Sequence, residues 1–366
     1  MENNNKTNTK NKIITISFCL ILVVTFLMNL LTKDNELSTS ERRKLEHFPK
    51  LSLESITNST FMNKLDTYST DQFIFRDTFR EIKAWFNNNI YLKKDNNNLF
   101  VKNNAIYKME YPLNEYNLNK TLDKISNVYA KYLKNTNTKV YYSIIPDKNY
   151  YLENDDHLKM DYTKLINIAE NTLKDMTYID ITDELELNSY YKTDLHWKQE
   201  CLNDVVKKLQ NGMDIPYIST EYIEKDLGDY YGTYYSQLKT NVPADRIYAL
   251  TNSTISNLEV YNYETNKFVD VYSNKQTMDK YDTYLHGATP LLRIDNKNIE
   301  EKKELIIFRD SFASSLAPLL TENYSTIYLV DLRYIDSKLL ENYITFNDQD
   351  VLFIYSTTIL NSNVLR

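Results

Sequence analysis

The run Ile13–Leu31 (IITISFCLILVVTFLMNLL) carries no charge, and its only polar breaks are Thr15, Ser17, Thr25 and Asn29. At 1.5 Å per residue, roughly 19 residues reach about 29 Å, the thickness of a bilayer's hydrocarbon core. The run has no polar face of the kind a soluble core helix shows. Met28–Thr32 also lacks the small residues of a signal-cleavage site. Lys6, Lys10 and Lys12 precede the run against a lone Glu2. The positive-inside bias therefore predicts a cytoplasmic tail over 1–12 and a single-pass anchor over 13–32, with everything after it on the outer side.

The charge balance narrows the partners. The 366 residues carry a net charge of −7, with no dense Lys/Arg block and no zinc-ligand spacing. That argues against a nucleic-acid partner, and neither a metal nor an organic cofactor is expected. Cys19 lies inside the apolar run and Cys201 stands alone outside it, so a fold stabilised by its core rather than by disulfides is expected. The chain has 32 Tyr but only 4 Gly, with Asn and Lys recurring throughout, a composition typical of an AT-rich bacterial genome. In so glycine-poor a chain, Gly228, Gly232 and Gly287 each point to a backbone requirement.

Residues 33–95 read as a polar, Pro-interrupted linker followed by helices, in which Phe61, Leu65 and Tyr68, then Phe79, Ile82 and Phe86, recur near helical spacing. The block Asp71–Asp77, with Arg76 among carboxylates, suits packing and salt bridging. From 96 to 366 a single outer domain is expected. Short apolar strands (139–145, 178–181, 304–308, 326–330, 351–355) alternate there with amphipathic helices (115–134, 161–175, 198–210, 312–323, 337–346). The alternation predicts an α/β fold with a parallel sheet flanked by helices. Shorter Tyr- and Thr-rich segments between about 221 and 294 predict an antiparallel β insertion.

Two segments can carry chemistry. In Phe308-Arg309-Asp310-Ser311-Phe312 a buried strand gives way to a helix, which puts Ser311 at the carboxyl edge of the sheet, where open α/β sheets bind ligands. A helix start there supplies free N–H groups for a developing oxyanion. The alternative is that Ser311 simply caps the helix. In Tyr190–Trp197, Asp194 stands two residues before His196, one of only four histidines. In an extended segment that spacing puts both on one face, so Asp194 can orient the imidazole as in a Ser–His–Asp triad. Trp197 suits either core filling or a sugar-stacking platform.

Thr193-Asp194-Leu195-His196-Trp197 resembles the T-D-H-H-W signature of bacterial DHHW proteins. These are similar to the AlgX/AlgJ group of alginate O-acetylation proteins, whose domain resembles a permuted SGNH hydrolase. Ser40–Leu45 with Pro49, Asp71–Asp77, Ile145–Lys148, Tyr231–Ser236 and Val330–Tyr334 resemble further family blocks, collinear from about 38 to 356. The resemblance implies Ser311 as nucleophile, His196 as general base and acid, and Asp194 as its orienter. Leu195 replaces the first His, which the dyad does not need. Arg309 replaces the Gly of a G-D-S motif, so the turn must form without positive φ at that position. Ala288, in Leu285-His286-Gly287-Ala288, stands where relatives often carry an Asn that donates to the oxyanion. His286 suits either a competing base or a solvated turn residue. Arg333 suits either a clamp for an anionic group or a salt bridge to Asp331; Lys148 is a candidate substrate contact on the same logic.

The resemblance implies a membrane-tethered O-acyltransferase or acyl esterase acting on a cell-surface polysaccharide. The acyl donor would be delivered by a multi-spanning membrane acyltransferase. A non-catalytic carbohydrate-binding or scaffold subunit of such a complex is the alternative, and a purely structural envelope protein the third reading.

Overall fold

A computed structural model describes residues 2–38, 43–89, 98–152, 157–238, 240, 242–275 and 277–366; Ser40–Arg42 of the resemblance, and 39 and 90–95 of the expected linker, lie outside them. The chain forms two compact units, 1–96 and 97–366.

Unit 1 opens with helix α1 (Glu2–Leu31), whose Thr9–Leu31 segment is long and apolar enough to cross a membrane and has no residue buried inside the protein. A short pair, β1 (Leu37–Ser38) and β2 (Arg43–Lys44), is followed by α2 (Leu53–Thr57), α3 (Thr60–Asp71) and α4 (Arg76–Asn89). Phe48 packs edge-on against Phe61 and Tyr68. Asp71 is buried and accepts a hydrogen bond from the Glu46 N–H, with Arg76 within 3.9 Å. The 71–77 block thus packs as its alternation of carboxylates and Arg76 suggested.

Unit 2 is a three-layer α/β fold. Five parallel strands run β13 (Thr326–Val330), β12 (Glu304–Arg309), β14 (Asp350–Ser356), β5 (Lys139–Ile145) and β6 (Thr177–Tyr178). Segments such as Leu305–Phe308 are apolar on both faces, as a strand covered on both sides requires. One face packs α5 (Glu115–Val128) and α6 (Tyr162–Thr172) through Leu118, Leu122, Ile125 and Leu165. The other packs α7 (Asn203–Gly212) through Val205, Val206 and Leu209. The expected fold class is what the chain adopts.

The 221–294 segment differs from expectation. Only β7 (Ile223–Tyr230) and β8 (Asp245–Thr251) form a separate hairpin, with α8 (Thr233–Leu238) between them. After the short α9 (Ser253–Ser256), β9 (Glu259–Asn262), β10 (Lys267–Val269) and β11 (Leu291–Asp295) extend the main sheet antiparallel from β13. They carry Val260, Leu292 and Ile294 into the core, and that burial is what recruits them. A further hairpin, β3 (Leu99–Lys102) with β4 (Ala105–Lys108), precedes α5.

Three boundaries shift for local reasons. The strand expected at 178–181 ends early because Asp180 accepts the Thr182 N–H and starts a turn. The helix expected from 198 begins at Asn203, after a 3₁₀ turn over Gln199–Cys201. The helix expected over 312–323 is α10 (Ala313–Leu316) and then a 3₁₀ segment from Ala317, because Pro318 offers no N–H to continue an α-helix.

Candidate active site

Ser311 sits where β12 has ended and α10 begins. The buried Asp310 carboxylate builds this turn: it accepts the Phe312 N–H at 3.0 Å and the Ser356 N–H at 2.8 Å, joining the ends of β12 and β14. Arg309 is fully buried with no left-handed backbone, so the turn forms without a glycine. Its guanidinium donates to the Ser314 hydroxyl (3.1 Å) and lies 3.7 Å from Asp331. The cap position of α10 falls on Phe312 rather than on Ser311, and Ser311 Oγ lies 2.8 Å from His196 Nε2.

The 190–197 segment is a tight loop rather than an extended strand. Tyr190 and Trp197 bridge its two ends, and the Tyr191 N–H donates to His196 O. Asp194 and His196 therefore meet through a turn: Asp194 Oδ1 accepts both the His196 N–H (3.0 Å) and ring Nδ1 (2.5 Å). Asp194 Oδ2 accepts the Thr233 N–H at 2.6 Å. With Nδ1–H committed to Asp194, the Nε2 lone pair faces the serine hydroxyl. Burial disfavours the Asp194 charge, but attraction to His196 and three donated hydrogen bonds outweigh it and hold this carboxyl well below the usual range.

The surroundings fix the loop from several distant elements. Tyr281 stacks flat on His196, with centroids 3.8 Å apart at 8°, and its hydroxyl meets Ser315 Oγ at 2.8 Å. Asp245 takes the Lys192 and Thr193 N–H groups. A Cβ on Gly232 would lie 2.2 Å from Asp194 Cβ, so only glycine fits against this loop. The scarcity of glycine pointed at Gly232, whereas nothing in the sequence marked Asp245 or Tyr281.

The other expected contacts fall elsewhere. Trp197 is fully buried, and its Nε1 donates to Phe312 O (3.0 Å) and Ser315 Oγ (2.9 Å); it is a strut between loop and α10, with no face open to a sugar. Lys148 is also buried, donating to Ile106 O (2.5 Å) and Tyr191 O (2.9 Å). Burial pulls its amine down to about 7. It supports the loop from beneath and does not reach solvent. Arg333 donates from Nε (2.9 Å) and Nη2 (2.6 Å) to the two Asp331 oxygens, the salt-bridge arrangement. His286 is held in a turn with its Nε2 3.0 Å from Asp270 O, and Ala288 is exposed. Among the described residues no group of three or more His, Cys, Asp or Glu is placed to hold a metal ion.

The arrangement is a hydrogen-bonded chain of carboxylate, imidazole and serine hydroxyl, with Ser311 its most accessible member. Comparison with known proteins agrees with the family resemblance: the DHHW protein profile matches residues 167–330, which include Asp194, His196 and Ser311. A DHHW family protein from Eubacterium siraeum shares the fold at 19% identity, covering 74% of this chain and 94% of its own, with a TM-score of 0.62. Bacillus cereus PatB1 does so at 16% identity, over 74% of this chain and 99% of its own, TM-score 0.59. PatB1 with a sulfonyl adduct matches at 16% identity, over 73% and 97%, TM-score 0.57. Pseudomonas AlgJ and AlgX match more remotely, with TM-scores of 0.45 and 0.38. Curated protein sequences yield no match.

Proposed function

We propose that this chain is a membrane-tethered, extracytoplasmic acyltransferase or acyl esterase that works on a cell-surface polysaccharide through Ser311, His196 and Asp194. The observation that carries the reading is the continuous relay from Asp194 to His196 (2.5 Å) to Ser311 (2.8 Å). Ser311 Oγ attacks the acyl carbonyl as its proton passes to His196 Nε2. The leaving oxygen of the donor takes that proton, and an acyl ester on Ser311 remains. A sugar hydroxyl (transfer) or water (hydrolysis) then attacks the ester, giving its proton to Nε2, and the C–Oγ bond breaks to restore the serine. Asp194 stays ionised and stabilises the imidazolium at both stages.

The tetrahedral oxyanion needs donors. The N–H groups of Phe312, Ala313 and Ser314 are committed to Asp310 and to Ser311 O. The Ser311 amide is a donor that can serve it; Ala288 brings no side-chain amide. The apolar α1 supports tethering in a bacterial cell membrane with the N-terminus cytoplasmic. A tether raises the effective concentration of the serine near a donor that a multi-spanning acyltransferase exposes at the same surface.

The test gives the full chain in detergent an aryl acetate, comparing wild type with Ser311→Ala and His196→Ala, and adds an oligosaccharide acceptor to separate transfer from hydrolysis. Turnover well above the Ser311→Ala background, with acetyl found on Ser311, is expected. Neither turnover nor an acetyl-serine, with glycan binding retained, would instead favour a non-catalytic scaffold, the reading that Ala288 supports.

A further inference from the structure

The Asp71–Asp77 block has no part in the acyl chemistry, yet it is fixed at a particular place. Asn29, in the last turn of α1, accepts a hydrogen bond from the Ile74 N–H at 2.7 Å. Just beyond the apolar run, Asp34 accepts from the Tyr68 hydroxyl (3.0 Å), and Asn35 and the Gln72 amide exchange two hydrogen bonds (2.9 and 3.0 Å). The α3–α4 junction is therefore pinned to the end of the apolar helix. For a membrane span, that is the depth of the headgroup boundary.

Apolar side chains face outward from this junction. Phe75 adopts φ +58°, a left-handed conformation that a bulky residue enters only at a cost, and its ring remains 60% exposed. The Phe73 ring lies 5.9 Å from that of Phe79. Along α4, Phe79 and Ile82 follow Phe75 at helical spacing, 55% and 46% exposed. Arg76, Arg80 and Lys83 share the same helix. Asp77 and Glu81 lie on it as well, so α4 is a charged amphipathic helix with an aromatic and aliphatic stripe, a pattern that suits a membrane interface. So contiguous an exposed apolar stripe marks a contact surface.

We propose that Phe73, Phe75, Phe79 and Ile82 form an interfacial anchor that seats the α3–α4 junction in the outer lipid surface of the bilayer that α1 crosses. The proposal rests on reading α1 as a membrane span. The occupant is lipid because hydrogen bonds to Asn29, Asp34 and Asn35 hold the apolar stripe where that span ends. The chain then leaves the membrane surface after α4, not at residue 32.

The chain has two tryptophans, Trp85 within α4 and the fully buried Trp197, so Trp85 is a built-in reporter. The full chain is placed in phosphatidylcholine vesicles whose brominated lipids carry bromine near the interfacial depth of about 5–10 Å. Quenching of Trp85 is expected, together with flotation of the chain with the vesicles. A combined Phe75→Ser, Phe79→Ser, Ile82→Ser variant should still float but lose the quenching. A wild-type chain that floats with Trp85 unquenched overturns the proposal, and is the result expected if a second copy or a protein partner covers the stripe. A chain that does not float removes the span reading and the proposal with it.

Discussion

The turn that carries Ser311 and the loop that carries His196 reach the same site by different means. At 309–314 local bonds set the backbone, with Asp310 taking the Phe312 N–H and the Ser314 N–H returning to Ser311 O, and two distant ties secure it, the Ser356 N–H on Asp310 and the pairing of Arg309 with Asp331. At 190–197 the position depends on distant partners, with Asp245, Thr233, Tyr281 and Phe312 all holding the loop. The serine is placed by the strand-to-helix change itself, the histidine by the packing of several elements. Mutations at distant sites should therefore disturb the base far more than the nucleophile.

The largest effect should come from removing the charge that orients the base. Asp194→Asn should lower kcat by about 10⁴-fold while Ser311 stays in place, because an amide at Nδ1 favours the wrong imidazole tautomer; steady-state kinetics and a structure of the variant test both halves. Lys148 gives a second probe of the loop. Its folded amine is pulled down to about 7, whereas an unfolded lysine titrates near about 10.4. Between those values the unfolded chain binds a proton that the folded chain lacks, so stability should rise as pH climbs from 7 toward 10. Urea unfolding across that range should show the rise, and Lys148→Met should lack it.

Gly232→Ala forces a Cβ against Asp194 and Thr193. It should destabilise the domain by about 1–3 kcal/mol and reduce kcat more than KM, as read by urea unfolding alongside kinetics. The smallest effect is expected for Trp197→Phe. This variant loses the indole donor to Phe312 O and Ser315 Oγ, at about 1 kcal/mol of stability. An equal loss from Ser314→Ala, whose hydroxyl only meets Arg309 within the turn, would erase the contrast between the two regions.

The same contrast explains what could be read in advance. Ser311 was legible because Leu305–Phe308 is a buried-strand signature followed at once by a helix start. His196 and Asp194 are legible as a motif, but a turn, and not the shared face of an extended segment, brings them together. For Trp197 the sequence leaves core filling and a sugar platform both open, and for Lys148 it suggests a substrate contact, because burial is a tertiary property that a nearby motif does not reveal. The β9–β11 segments carried a β signal, but their joining the main sheet depended on pairing with β13, more than thirty residues away from β11.

The relay from Asp194 through His196 to Ser311 is tested most directly by covalent capture. An aryl sulfonyl fluoride is the probe: in the account, Ser311 Oγ displaces fluoride at sulfur while His196 takes the proton. Intact-mass and peptide analysis of the full chain in detergent should find one adduct, on Ser311, with His196→Ala reacting about 10²-fold or more slowly. Labelling at another residue, or at an unchanged rate in His196→Ala, would contradict the relay.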